Sequence, residues 1–142
     1  MEIIPANITD ASVLRLFHEY DDFMVSFLGE DRRLYTRYNG KENIKRVWVA
    51  RWDSLPIGCI AFRDRTDGIG EVKRLFIKSE YRGRGVSKEL LNTIESYAKK
   101  EGFHTLLLET RITLEPAVSI YRTVGFTIVF QEGLYIRMQK KL

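Results

Sequence analysis

One stretch constrains this chain more than any other: residues 71–91, EVKRLFIKSEYRGRGVSKELL. A stretch of strand character (71–78) enters a short loop (79–85), and an amphipathic helical pattern follows to about residue 100. Leu90, Leu91, Ile94, Tyr97 and Ala98 recur at helical spacing on one face. Residues 105–109, TLLLE, then read as a short strand buried on both faces. A strand, a helix and a second strand in that order predict a parallel pair, because the helix must carry the chain back across the sheet. The loop sets Arg82, Gly83, Arg84 and Gly85 at the helix start. Glycine lets the backbone turn sharply and approach a ligand closely. The unpaired N–H groups of a helix N-terminus favour an anion, and two arginines add full positive charge. These residues describe a phosphate cradle. It is not a Walker A loop, which needs a glycine four residues before Gly-Lys-Ser/Thr. It is not a dinucleotide fingerprint either, since Lys88 stands where the third glycine belongs.

Around this unit the chain predicts a mixed α/β domain in the order β-α-α-β-β-β-α-β-α-β-β. A first strand covers 2–5, and Asn7, Thr9 or Asp10 offers a helix N-cap. Val13, Leu14, Phe17 and Tyr20 form a helical stripe, and Phe23, Phe27 and Leu28 lead into a second helix ending near Tyr38, before Asn39-Gly40. Strands at 44–52 and 57–63 form a hairpin about the turn 53–56, and the strand from Glu71 joins them after Asp67-Gly68. A last helix covers 115–123, and strands at 126–131 and 134–139 close the chain. With 142 residues, 44% hydrophobic and 30% charged, the chain has the size and mix of one domain, residues 1–142.

Charge and composition exclude other classes. The net charge of +4 suits an anionic ligand but does not argue for nucleic acid. A lone cysteine, Cys59, precludes an internal disulfide and fits a reducing cytoplasm. His18 and His104 lie far apart in sequence, so no metal site is expected. No apolar run approaches the ~20 residues of a membrane helix, and the N-terminus lacks a signal-peptide pattern. The expectation is a cytoplasmic protein with no membrane or nucleic-acid partner, a monomer or homodimer.

Two motifs in order carry a resemblance. Arg82-x-x-Gly85-x-Ser87 resembles the Arg/Gln-x-x-Gly-x-Gly/Ala loop with which the GNAT superfamily of N-acetyltransferases binds the coenzyme A pyrophosphate. Tyr121-Arg122-Thr123-Val124-Gly125-Phe126 looks like the family's Tyr-x-x-x-Gly-Phe signature. Ser87 replaces the usual Gly or Ala, and Leu114-Glu115-Pro116 departs from the Asn- or Gln-Pro-Glu that the family often has before its tyrosine. The resemblance spans nearly the whole chain. It implies a GNAT-like fold and an acetyl-CoA-dependent N-acetyltransferase. A primary amine would attack the thioester directly, with a small-molecule acceptor placed ahead of a protein. The alternative is a non-catalytic, CoA-binding or regulatory domain.

The same resemblance implies roles. Acetyl-CoA, the only cofactor expected, would lie along Leu75, Phe76 and Ile77, with a backbone N–H near Phe76 polarising the carbonyl. Arg82, Gly83, Arg84, Gly85, Val86, Ser87 and Lys88 would hold the pyrophosphate, and Tyr121 would face the sulfur as the acid. A base must take the amine's proton, directly or through water. Glu71, Glu109 or no side chain at all remain open for that step. Read by itself, Glu71 is a solvated strand end, and Glu109 a partner for Arg74 or Arg111. Cys59 reads as core, His104 as structural, Asp21-Asp22 and Glu30-Asp31 as a solvated helix face, and Lys140-Lys141 as a tail. Phe17, Tyr20, Phe23, Tyr35, Tyr38 and Tyr135 are candidates to line an acceptor pocket.

Overall fold

A computed structural model describes residues 1–28 and 44–142. The second helix expected up to Tyr38, with Tyr35 and Glu30-Asp31, lies outside the described residues. Among those described, seven strands form one mixed sheet in the order β1-β2-β3-β4-β5-β7-β6. They are β1 (Glu2–Ala6), β2 (Ile44–Trp52), β3 (Leu55–Asp64), β4 (Ile69–Ile77), β5 (Thr105–Arg111), β6 (Thr127–Glu132) and β7 (Tyr135–Lys141). Three α-helices are described, α1 (Ala11–Leu28), α2 (Val86–Lys100) and α3 (Glu115–Thr123). Only β4 and β5 pair in parallel, as the strand–helix–strand reading predicts; every other neighbouring pair is antiparallel.

The helices divide by face. Val13, Leu16 and Phe17 of α1 pack on Val47, Val49, Cys59, Ala61 and Phe76. On the other face, Leu90, Leu91, Ile94 and Ala98 of α2 and Val118 and Tyr121 of α3 pack on Ile60, Phe62, Val72, Leu106, Leu108, Ile136 and Met138. Strand alternation therefore assigns each sheet residue to the α1 face or the α2/α3 face. That assignment builds the site.

Some boundaries differ from the sequence reading. The 53–56 turn tightens to Asp53-Ser54, both with positive φ, and Trp52 pairs directly with Leu55. Such a two-residue turn matches the strands' twist, so pairing extends to the loop. Strand β4 begins at Ile69, two residues before Glu71, while α2 begins at Val86, directly after the loop, because Gly85 takes a left-handed φ of 80° at the N-cap. Lys140-Lys141 are not a tail, since β7 runs through both. Lys140 belongs to β7, and its Nζ donates to Glu95 of α2 at 2.8 Å and to the Val124 carbonyl at 2.6 Å. No described helix is long and apolar enough to cross a membrane.

Candidate active site

The site begins where the sheet comes apart. Strands β4 and β5 pair only over Ile69–Glu71 and Thr105–Leu107, although β4 runs on to Ile77 and β5 to Arg111. A β-bulge marks the parting. Cys59 pairs with Phe76 and Ala61 with Lys73, so Ile60 faces two residues, Arg74 and Leu75. The extra residue puts Arg74 at φ 52°, a conformation a side chain rarely adopts. A bulge bends its strand and sharpens the twist, which turns β4 away from β5. The Cys59 thiol donates to the Arg74 carbonyl at 3.4 Å, and burial pushes its pKa up to about 12, so it is an inert core thiol. The strands part around a cleft of about 750 Å³ that opens on both faces of the sheet.

On the α2/α3 face the cleft ends at the glycine loop. Gly83 and Gly85 have φ of 78° and 80°, and a Cβ on either would meet nothing within 4 Å. The N-cap of α2 makes no side-chain hydrogen bond, so the N–H groups of Val86, Ser87 and Lys88 stand at an open, electropositive helix end. Arg82 is braced beside it: its Nε donates to the Ile77 carbonyl at 3.0 Å and its guanidinium lies over Phe23 at 5.3 Å. That bond turns the Ile77 peptide groups toward the cleft. The Lys78 N–H donates to the Ile57 carbonyl of β3 at 2.8 Å, so alternation turns the Phe76 N–H toward β3 as well and leaves the neighbouring Ile77 N–H on the cleft side. Tyr121 lines the cleft from α3, edge-on to Phe126 at 6.1 Å. Burial pushes its pKa up to about 12, so it stays protonated.

The α1 face is charged. Val72 points to the other side, which puts Glu71 and Lys73 here, and the bulge adds Arg74 to the same face. Glu71 is 2% exposed, with Arg65 at 3.1 Å and Arg63 and Lys73 each at 3.7 Å. It is thus the centre of a buried ion cluster, not a solvated strand end. Burial lowers the pKa of Lys73. Arg74, 3% exposed, donates to Asp21 of α1 at 2.9 Å beneath the rings of Phe17 and Tyr20. Glu109 meets Arg137 of β7 at 3.4 Å, not Arg74 or Arg111, because β7 is its paired neighbour. Tyr135 hydrogen-bonds Glu109, and burial together with that carboxylate pushes its pKa up to about 12.

The fold gathers most of the residues singled out in the sequence. Glu71, Leu75, Phe76, Ile77, Arg82, Gly83, Gly85, Val86, Ser87, Lys88, Glu109 and Tyr121 all line the cleft. Arg84 does not: its guanidinium is held between Trp52 and Tyr81, 5.2 and 5.1 Å from their ring centres. Of the acceptor candidates, Tyr20, Phe23 and Tyr135 line the cleft, whereas Phe17 is core. His104 is structural, bridging Thr105 Oγ1 and the Asp67 carbonyl at 2.8 Å each. Asp21 is no solvated residue but the partner of Arg74. Lys73, Arg74 and Arg111 are cleft residues that the sequence reading passed over as candidates. For two of them a partial signal was present: Lys73-Arg74 are adjacent charges within a strand, and simple alternation cannot put both on one face.

The model of the acetyltransferase (GNAT) family matches residues 13–126. An IAA acetyltransferase of Azospirillum brasilense is 32% identical over 117 residues, which cover 81% of this chain and 76% of that protein. The chain spans about half or less of several other curated N-acetyltransferases that it matches. A Klebsiella pneumoniae structure assigned as an acyl-CoA N-acyltransferase superposes with a TM-score of 0.80 at 26% identity, covering 99% of this chain and 97% of that one. An N-acetyltransferase from Thermoplasma acidophilum, solved in complex with coenzyme A, superposes with a TM-score of 0.75 at 21% identity, over all of both chains.

Proposed function

The chain belongs to the GNAT acetyltransferase family and is an acyltransferase, and from that premise we propose that it transfers an acetyl group from acetyl-CoA to a small primary amine. The observation that carries the reading is the opening between β4 and β5, with an uncapped helix N-terminus on one side and a charged acceptor chamber on the other. The relative solved with coenzyme A supports the choice of donor.

The empty space at the Cβ positions of Gly83 and Gly85 fits a pyrophosphate against the amides of Val86, Ser87 and Lys88. Arg82 supplies the charge, and the Arg84 side chain has no part in it. Acetyl-CoA brings an activated acyl group as a thioester. Leu75, Phe76 and Ile77 flank its arm, and the Ile77 N–H, which shares the cleft side with its carbonyl, donates to the acyl oxygen. Tyr121 gives its proton to the departing thiolate. Glu109, held by one arginine and the Tyr135 hydroxyl, takes the amine's proton through water. Glu71 has three cations to neutralise and remains structural. Residues 1–142 would act as one domain, in the cytoplasm, alone or as a homodimer.

The test is release of free thiol from acetyl-CoA in the presence of amines, beside acetyl-CoA binding by calorimetry. We expect micromolar-range binding and amine-dependent thiol release. Binding with no thiol release across amino acids, amines, aminoglycosides and peptides would identify a regulatory CoA-binding domain instead. No binding would overturn the reading.

A further inference from the structure

Resting on the acetyltransferase reading, we propose that Arg74 is a positioning residue of the acceptor side: it fastens the second half of α1, which forms one wall of the cleft, to the bulge of β4 that opens it.

The two halves of α1 are held differently. The first half is core: Val13, Leu16 and Phe17 are fully buried against the sheet. The second half is wall: Tyr20, Phe23 and Met24 line the cleft, and Phe23 is exposed. Apolar burial therefore anchors the first half more firmly than the second. Arg74 reaches the junction between them. Phe17 and Asp21 stand one turn apart on the same face of α1. The Arg74 guanidinium lies over the Phe17 ring at 4.6 Å and over Tyr20 at 5.5 Å. Its Nη1 donates to Asp21 Oδ1 at 2.9 Å. Arg74 is 3% exposed, so this charge-assisted bond is poorly screened by water and holds a defined geometry.

The backbone of the same residue belongs to the opening. Arg74 sits in the bulge at φ 52°, and its carbonyl accepts the Cys59 thiol of β3 at 3.4 Å. Glycine would take that φ without strain; an arginine stays there only because its surroundings hold it. In an unbulged strand, residue 74 would follow Lys73 onto the α2/α3 face, away from α1. The bulge is what brings the guanidinium to Asp21. One residue thus joins the strand that flanks the thioester to the helix that walls the acceptor. The amine and the thioester must meet between these two walls, and small errors in their relative placement slow a reaction of two bound groups. Loss of the tie should therefore appear in acceptor kinetics and not in cofactor binding.

The experiment separates backbone from side chain. Arg74→Gly accepts the left-handed φ and removes the guanidinium. Asp21→Ala removes its partner, and Asp21→Asn leaves an amide oxygen to accept the bond. Amide hydrogen exchange is read on each protein, and thiol release from acetyl-CoA is measured with whichever amine of the acceptor panel wild type turns over fastest. In Arg74→Gly and Asp21→Ala the amides of residues 20–24 should exchange about tenfold faster or more, while those of Leu16, Phe17 and Phe76 stay as protected as in wild type. kcat/KM for the amine should fall about tenfold, with the acetyl-CoA dissociation constant within about twofold of wild type. Asp21→Asn should restore most of both effects, and the double variant Arg74→Gly/Asp21→Ala should be no worse than the worse single one. Lower stability with unchanged amine kinetics would make Arg74 a structural residue and overturn the inference. Additive effects in the double variant overturn it too. Unchanged exchange at residues 20–24 does so whether or not any amine is turned over. Acetyl-CoA binding by wild type is read separately by calorimetry; its absence overturns the acetyltransferase reading and the acceptor role of Arg74 with it.

Discussion

Tyr121 sits in a cleft wall with a hydroxyl that burial keeps protonated, its pKa pushed up to about 12. Tyr121→Phe removes the hydroxyl and keeps the ring against Phe126, so the core should survive. We expect turnover to fall by ~10²-fold, with the acetyl-CoA dissociation constant unchanged, measured by thiol release beside calorimetry. Wild-type turnover would make Tyr121 a packing residue. The two glutamates should separate by the same kind of comparison. Glu109→Gln should slow turnover by a similar factor with little loss of stability. Glu71→Gln should cost about 3 kcal/mol in urea unfolding, because it leaves buried cations without their carboxylate. The opposite pattern would return the base to Glu71. The sequence named both glutamates but not which one is buried. Burial of Glu71 depends on Arg63 and Arg65, which arrive from the neighbouring hairpin.

At the scale of elements, the loop and first turn of α2 work as a unit. Gly85 combines a left-handed φ with an open Cβ position. Gly85→Glu therefore strains the turn and drives a carboxylate into the anion site, and acetyl-CoA affinity should fall by about a hundredfold or more in calorimetry, with the fold retained. A second element contact was invisible in sequence. Lys140 ties β7 to Glu95 of α2 and to the carbonyl of Val124, the C-cap of α3. Lys140→Met should cost about 1–2 kcal/mol. Burial would raise the pKa of Glu95, but its bonds to Lys140 and Lys99 outweigh that and hold it below the usual 4.5. A depressed carboxylate stabilises the fold above its unfolded value and loses that effect as the pH falls through its folded one. The gap between wild type and Lys140→Met should therefore be full at neutral pH and narrow as the pH falls through and below the usual carboxylate range in urea titrations. A gap independent of pH would assign the effect to packing of the lysine stem.

For the molecule as a whole, ligand binding should appear as stability. Acetyl-CoA at a hundred times its dissociation constant adds ~2.7 kcal/mol, several degrees in Tm for a chain of this size. NAD and ATP should add much less in the same thermal scan, and an equal shift with ATP would indicate a generic phosphate site. The sequence by itself determined whatever consecutive residues impose: the parallel strand–helix–strand unit, the glycine loop at a helix start, and the Tyr121 to Phe126 signature. Each depends on backbone conformation and spacing within a few turns of chain, so no distant partner was needed to read it. Only the tertiary structure decided where the charges went. Arg84 left the cradle for two rings, one of them on β2. Lys73 and Arg74 came to share a face because one residue of β4 took a left-handed conformation that nothing in an arginine announces. A strand's parity is local, but a bulge that shifts it is stabilised by the strand next door, and so the charge on the α1 face of the cleft was settled by packing.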